Sequence, residues 1–289
     1  MSQSPSNKDT ADLKNLKALI IGGTGGLGRS VSRFLATSGA KVTVIGQTFR
    51  DEDLKNEISF VKCDLSSISE SKRIAQTLDV SDTDLIIFTT GIFAARVKET
   101  TSEGLERDMA VSYLNRLSIL KQIAPKLRST KNSYGWVPRV FIFGYPGAGK
   151  LGAIDDLNQD KSYSFLTCHF NTVAGNEALV SVARERYSNV KFFGVNPGLV
   201  KTDIRKNLTG EGFFSRLFES AIGWFTPTPE QFAKGLVPTL ISPELEDLNV
   251  IHLDAKGKPK AGSQGLTQDY ARQYVEKSEE LIKSKGIEI

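Results

Sequence analysis

Residues 17–29 read Lys-Ala-Leu-Ile-Ile-Gly-Gly-Thr-Gly-Gly-Leu-Gly-Arg, and this order decides the fold. Ala18 to Ile21 is a short apolar run, suited to a strand buried on both faces. Glycines follow at 22, 23, 25, 26 and 28. Val31, Phe34 and Leu35 then fall along one side of a helix. Strand, glycine turn and helix together make a cradle for a pyrophosphate. The glycines let the backbone come close, and the helix N-terminus offers free N–H groups and a positive dipole end. Gly22, Gly26 and Gly28, with Leu27 between the last two, are spaced G-x3-G-x-G. The first gap is one residue wider than in the G-x-G-x-x-G turn of other dinucleotide folds.

Outward from this turn, apolar runs suited to strands recur at 41–45, 58–63, 84–89, 139–143, 191–195 and 250–253. Helix-compatible stretches lie between them, the longest at 103–127 and 165–187, with a charged helix at 268–285. This alternation predicts an α/β fold: one Rossmann-type, doubly wound parallel sheet with helices on both faces. Residues 1–15 are polar and read as a loose tail, and 16–289 as a single domain. Residues 256–264 read as a polar loop.

After the second strand come Gly46, Gln47, Thr48, Phe49 and Arg50, where an adenosine ribose sits in such a fold. An acid here would take the 2′-hydroxyl of NAD(H). Gln47 is neutral, and Thr48 and Arg50 suit a 2′-phosphate, so the reading leans to NADP(H). Asp51, Glu52 and Asp53 follow closely, and Arg50 would equally serve as a surface ion-pair partner. Asp64, after the third strand, suits either the adenine amino group or the N-cap of the next helix.

The chain has 289 residues, 39% of them hydrophobic, enough for a real core in one large domain. Its net charge of +4 is spread among nearly equal numbers of acids and bases, which argues against a nucleic-acid face. Two cysteines without metal-ligand spacing argue for a reducing compartment and against a metal site. The polar N-terminus shows no secretory signal, and no run of about 18 apolar residues exists, so a cytoplasmic protein is expected.

Four segments give the chain a resemblance to the short-chain dehydrogenase/reductases, covering about residues 15–285. They are the glycine turn, Asp64-Leu65, Thr89-Thr90-Gly91 in place of the usual Asn-Ala-Gly, and Asn196-Pro197-Gly198-Leu199-Val200-Lys201-Thr202. Residues 101–106 and the C-terminal helix are similar to the retinol-dehydrogenase-like branch, and the whole resembles a divergent fungal subgroup of it. The resemblance implies that Gly22, Gly26 and Gly28 line the pyrophosphate. It puts Asp64 and Leu65 at the adenine and Gly91 beneath the adenosine. Pro197, Gly198, Val200 and Thr202 would hold the nicotinamide carboxamide. It also implies a carbonyl substrate, and a homodimer or homotetramer paired through the two long helices.

The resemblance fails at the chemistry. The family's Asn-Ser-Tyr-Lys set is absent: Ser112 stands at the Asn position and Tyr145 at the Ser position. With Asn176 and Glu177 in phase, His169 takes the Tyr position and Val173 the Lys position. Tyr163 is an alternative phenol, but Thr167 stands at its Lys spacing. An imidazole titrates near neutrality and can give or take a proton without a lysine beside it. His169 is therefore the candidate acid, with Tyr145 orienting the substrate oxygen or sharing the proton, and His252 is read as structural. Residues 205–227, with Phe213, Phe214, Phe218, Trp224 and Phe225, fall where the family places a substrate lid. They suit a hydrophobic substrate, core packing, a dimer contact or, less readily, an amphipathic helix at a membrane. Three functions fit the sequence: a carbonyl reductase with an altered acid–base set, a catalytically silent nucleotide sensor or scaffold, and a non-redox enzyme on this fold.

Overall fold

A computed structural model describes residues 13–200 and 226–289. Eight strands form one sheet: β1 (Lys17–Ile21), β2 (Lys41–Gly46), β3 (Ile58–Lys62), β4 (Leu85–Phe88), β5 (Arg139–Phe143), β6 (Lys191–Val195), β7 (His252–Leu253) and β8 (Pro259–Lys260). Their order is β3-β2-β1-β4-β5-β6-β7-β8. Strands β1 to β7 pair in parallel, in register Ile20 to Val44 and Ile20 to Ile87 at the centre. The doubly wound sheet expected from the alternation is thus present, with one correction. Strand β8, inside the stretch read as a polar loop, runs antiparallel to β7 and makes the sheet mixed. Two residues between turns carry too little pattern to show a strand.

Among the described residues the helices are α1 (Gly26–Thr37), α2 (Ile68–Thr77), α3 (Arg107–Met109), α4 (Asn115–Ile123), α5 (Phe165–Arg186), α6 (Pro229–Leu240) and α7 (Gln268–Ser284). A π-helical turn, Ala110–Leu114, joins α3 to α4. Alternate residues of each central strand feed opposite cores. Leu19 and Ile21 join side chains of α2, α4, α5 and α7 on one face. Ala18 and Ile20 join those of α1 and α6 on the other. All four residues of β4 and all five of β5 are buried, as strands covered on both sides must be.

Leu13, in the stretch read as a tail, is buried, and its N–H donates to Ser38 O at 3.0 Å. The packed domain therefore reaches back before residue 16. Helix α2 is capped by Ser67, whose hydroxyl accepts from Glu70 N, so Asp64 is not its cap. The strand order reverses between β1 and β4, and that reversal opens a crevice at the strands' C-terminal ends.

Candidate functional site

Two adjoining cavities occupy this crevice. The first, about 420 Å³, is walled by the glycine turn, the end of β2 and the end of β4. Gly22, Gly26, Leu27, Gln47, Thr48, Arg50, Asp64, Leu65 and Gly91 all line it. Gly22 has φ +88°, and a Cβ there would meet Thr90 N at 2.6 Å, so only glycine fits. Gly28 is not in the wall. It lies beneath, where a Cβ would meet Thr89 Oγ1 at 2.2 Å and Gly22 O at 2.5 Å. Its part is to let α1 sit close on β1 and β4.

Charge at the β2 end is sorted by geometry. Asp51 Oδ1 accepts from Arg29 Nε at 2.8 Å and from Arg33 Nη1 at 2.7 Å. Asp53 takes a two-pronged pair from Arg33. Among the described residues neither acid pairs with Arg50, whose Nη1 lies 3.4 Å from Thr24 O over the glycine turn. Asp64 Oδ1 accepts from Ser66 N, Ser66 Oγ and Gln47 Nε2. Partial burial opposes its ionisation, but these hydrogen bonds win and hold the carboxyl below its usual range.

The second cavity, about 170 Å³, shares Leu27, Gly91 and Ile92 with the first. Its walls are mostly apolar: Phe93, Phe143, Val173, Pro197, Leu199 and Val200. The polar groups facing it are Ser112, Arg116, Tyr145, His169, Thr172 and Asn176. His169 and Tyr145, 24 residues apart in sequence, are thus brought to one cavity together with Pro197, Gly198 and Val200. Thr202 lies outside the described residues, as do 205–225 of the expected lid. Tyr163 is elsewhere, its hydroxyl donating to Ala95 O at 2.5 Å. His252 is buried behind the sheet edge, its Nε2 3.7 Å from Glu177 Oε1.

Three further residues at the site, two of them against His169, are not singled out by the sequence. Asp108, wholly buried, lies 3.1 Å from His169 Nδ1 through Oδ2. Its other oxygen accepts from Ser112 Oγ, and Ala94 N donates to Oδ2 at 3.2 Å. The Phe93 ring covers the imidazole at 4.1 Å between centroids. Arg116, 2% exposed, donates to Phe143 O at 2.8 Å, to Asn176 Oδ1 at 2.9 Å and to Thr90 O. One signal was available: Asp108 stands four residues before Ser112, one turn apart on the predicted helix. Ser112 itself sits on the π turn, a distortion frequent at functional sites. Tyr145 has φ +61°, an uncommon conformation for a bulky residue, and is 40% exposed at the cavity mouth.

This arrangement can do acid–base chemistry. A buried carboxylate lies against one imidazole nitrogen of a histidine that lines the cavity, beside the larger cleft at the glycine turn. Among the described residues no group of three or more His, Cys, Asp and Glu is placed to hold a metal ion. Nor is any described helix long and apolar enough to cross a membrane.

Comparison with known proteins identifies the family and the fold. A family model described as short chain dehydrogenase matches residues 16–137. An uncharacterized oxidoreductase of Saccharomyces cerevisiae is 48% identical over 96% of this chain and 91% of its own length. The polyprenol dehydrogenase of Homo sapiens is 24% identical over 91% of this chain and 84% of its own. Among solved structures, a short-chain dehydrogenase from Burkholderia cenocepacia in complex with NADP superposes with a TM-score of 0.59 at 16% identity, covering 85% of this chain and 98% of that one.

Proposed function

The chain belongs to the short-chain dehydrogenase/reductase family and is an oxidoreductase of it; from that premise we propose that it reduces an aldehyde or ketone with NADPH, using His169 as the proton donor. The observation that carries this reading is the Asp108–His169 pair, set in a cavity that opens into the dinucleotide cleft.

The cleft fits the cofactor. Gly22 leaves room for a pyrophosphate at the N-terminus of α1, Asp64 keeps a carboxylate oxygen for the adenine amino group, and Arg50 is unclaimed by Asp51 or Asp53. A guanidinium not paired with these acids supports a 2′-phosphate and hence NADPH over NADH. When bound, the nicotinamide supplies the hydride. His169 then donates a proton to the carbonyl oxygen, and Asp108 holds the ring's tautomer and orientation through Nδ1. Tyr145, at the cavity mouth, would orient that oxygen, and Pro197, Gly198 and Val200, which line the same cavity, would hold the carboxamide. The apolar wall supports a hydrophobic carbonyl compound whose reactive end is small. A relative named for dehydrogenating a polyprenol is consistent with such a substrate.

The test is NADPH and NADH oxidation against a panel of aliphatic and aromatic aldehydes, with cofactor binding followed in parallel. Turnover that falls about 10²–10⁴-fold in His169→Gln at unchanged NADPH affinity is the expected result. Tight NADPH binding with no turnover of any carbonyl would favour the sensor or non-redox reading. Unchanged turnover in His169→Gln would remove that residue from the chemistry.

A further inference from the structure

The loop after β5 reads Gly144-Tyr145-Pro146-Gly147-Ala148-Gly149 and brings Tyr145 to the smaller cavity in a conformation that bulky residues rarely adopt. Pro146 narrows the choices open to its predecessor further. Such a backbone costs free energy and lasts only where its surroundings over-determine it. Bonds on both sides of Tyr145 do so. Gly144 N donates to Val195 O at 3.1 Å. Asn196 Nδ2 donates to Pro146 O at 3.1 Å, while its Oδ1 accepts from Gly198 N at 3.0 Å. Gly147 N donates to Glu177 Oε2 at 3.0 Å. The first two ties come from the end of β6 and the turn after it. The third is a carboxylate in the interior.

Glu177 is 2% exposed and lies on α5, eight residues after His169. It walls neither the dinucleotide cleft nor the smaller cavity. Its Oε1 accepts from Ser263 N at 2.5 Å, and its Oε2 accepts from Ser263 Oγ at 2.8 Å beside the Gly147 bond. Ser263 Oγ in turn accepts from Gly149 N at 3.0 Å. One carboxylate and one hydroxyl thus latch the Tyr145 loop to the segment after β8. The approach is close: Gly147 has φ +72°, and a Cβ there would strike Ala261 O. A carboxylate this deep is costly to keep unless donors fill its oxygens. Both oxygens accept here, a pattern an amide cannot copy, since one of its two ends only donates. Helix α5 therefore presents His169 and, through Glu177, holds the loop that presents Tyr145.

We propose that Glu177 is a positioning residue for Tyr145: its carboxylate latches the loop so that the phenol stays at the cavity mouth, beside the substrate oxygen that His169 protonates. The proposal rests on the reductase reading above. Glu177 touches neither substrate nor cofactor in it and acts through the backbone of Gly147, two residues past Tyr145.

The test is a double-mutant cycle. Glu177→Gln keeps the size of the side chain and removes one acceptor, and Tyr145→Phe removes the hydroxyl alone. Melting temperature and NADPH affinity establish that each variant is folded and loaded. In aldehyde reduction, Glu177→Gln is expected to lose roughly ten- to a hundredfold in kcat at unchanged NADPH affinity, as a small misplacement of a group at the reacting centre does. In the Tyr145→Phe background the same substitution should cost less than about twofold, because the hydroxyl it places is already gone. A carboxylate with a merely structural part would slow both backgrounds equally, and that result overturns the inference. So does a Glu177→Gln or a Tyr145→Phe enzyme as fast as wild type. If Glu177→Gln does not fold, Ser263→Ala takes its place in the cycle. A kcat loss seen with Tyr145 and not with Phe there supports the proposal, and no loss, or an equal one, overturns it. A second readout needs no substrate. Hydrogen exchange in the peptide spanning 144–149 should quicken at least about tenfold in Glu177→Gln, with β1 and α1 unchanged, as local opening of one loop requires. Unchanged exchange in 144–149, or an equal rise throughout the chain, overturns the proposal. Wild type without turnover of any carbonyl would sink the reductase reading and leave the exchange test to decide the latch.

Discussion

At the scale of single residues, Arg50 and Gly28 carry the sharpest expectations. Arg50 is free of the acids beside it because Arg29 and Arg33 take Asp51 and Asp53. If it meets a 2′-phosphate, Arg50→Ala should weaken NADPH binding about ten- to a hundredfold, since a hydrogen bond to a charged group is worth about 1.5–3 kcal/mol. NADH affinity should stay as it was, and titration calorimetry with the two cofactors reads the difference. Gly28→Ala would drive a methyl into Thr89 Oγ1 and Gly22 O, separating α1 from the strand ends. A loss of about 1–3 kcal/mol in urea unfolding is expected, with cofactor affinity falling beside it. The glycines, Asp64 and His169 were legible because each stands at a fixed offset within one segment. Asp108 and Arg116 were not. The contact of Asp108 with His169 spans 61 residues, and the partners of Arg116 lie 26, 27 and 60 residues away. No local pattern encodes such pairings.

At the scale of elements, strands β5 and β6 and helix α5 were readable almost to the residue, because each is a long buried run with a single period. The π turn at Ala110–Leu114 was not, since one extra residue in a turn leaves the surrounding apolar spacing nearly intact. Nor was β8, whose two residues exist as a strand only because β7 lies beside them. That edge holds a buried cluster. Glu177 accepts from Gly147 N, Ser263 N and Ser263 Oγ, so it anchors the loop following Tyr145 to the segment after β8. His252 lies against the same carboxylate, and burial pushes its imidazole below the ordinary 6.5 despite Glu177's opposing pull. A histidine depressed in the folded state contributes stability that is present above 6.5 and is lost as pH falls below it, because the unfolded chain takes the proton first. The urea midpoint of the wild type should therefore fall between pH 7.5 and 5.5 by more than that of His252→Gln. Equal slopes in the two proteins would show that His252 carries none of this pH dependence.

At the scale of the whole molecule, the decisive packing is that of α7. The family resemblance implied subunits paired through the long helices, the runs read at 103–127 and 165–187. In this chain α7 lies on that surface. Tyr274 is wholly buried and donates to Asn171 O at 2.7 Å on α5, and Ser278 Oγ accepts from Tyr113 at 3.0 Å on the π turn. Lys121 of α4 pairs with Glu279 at 2.9 Å, and Arg272 forks onto Glu185 of α5. The exposed Arg272 pair adds little, since such surface pairs are worth about 0–1 kcal/mol. Burial of Ala271, Tyr274, Val275 and Ile282 is what fastens the helix. A second subunit would have to displace α7 to reach α5. The full chain should accordingly run as a monomer of 31.7 kDa in light scattering across a hundredfold range of concentration. Tyr274→Ala should cost about 3–5 kcal/mol, the usual price of emptying a buried aromatic site. Where α7 is loosened in this way, the uncovered α5 face becomes available, and concentration-dependent self-association should appear in the variant alone. A wild-type dimer of twice the mass, unchanged by Tyr274→Ala, would place the subunit contact elsewhere and leave α7 with a purely structural part.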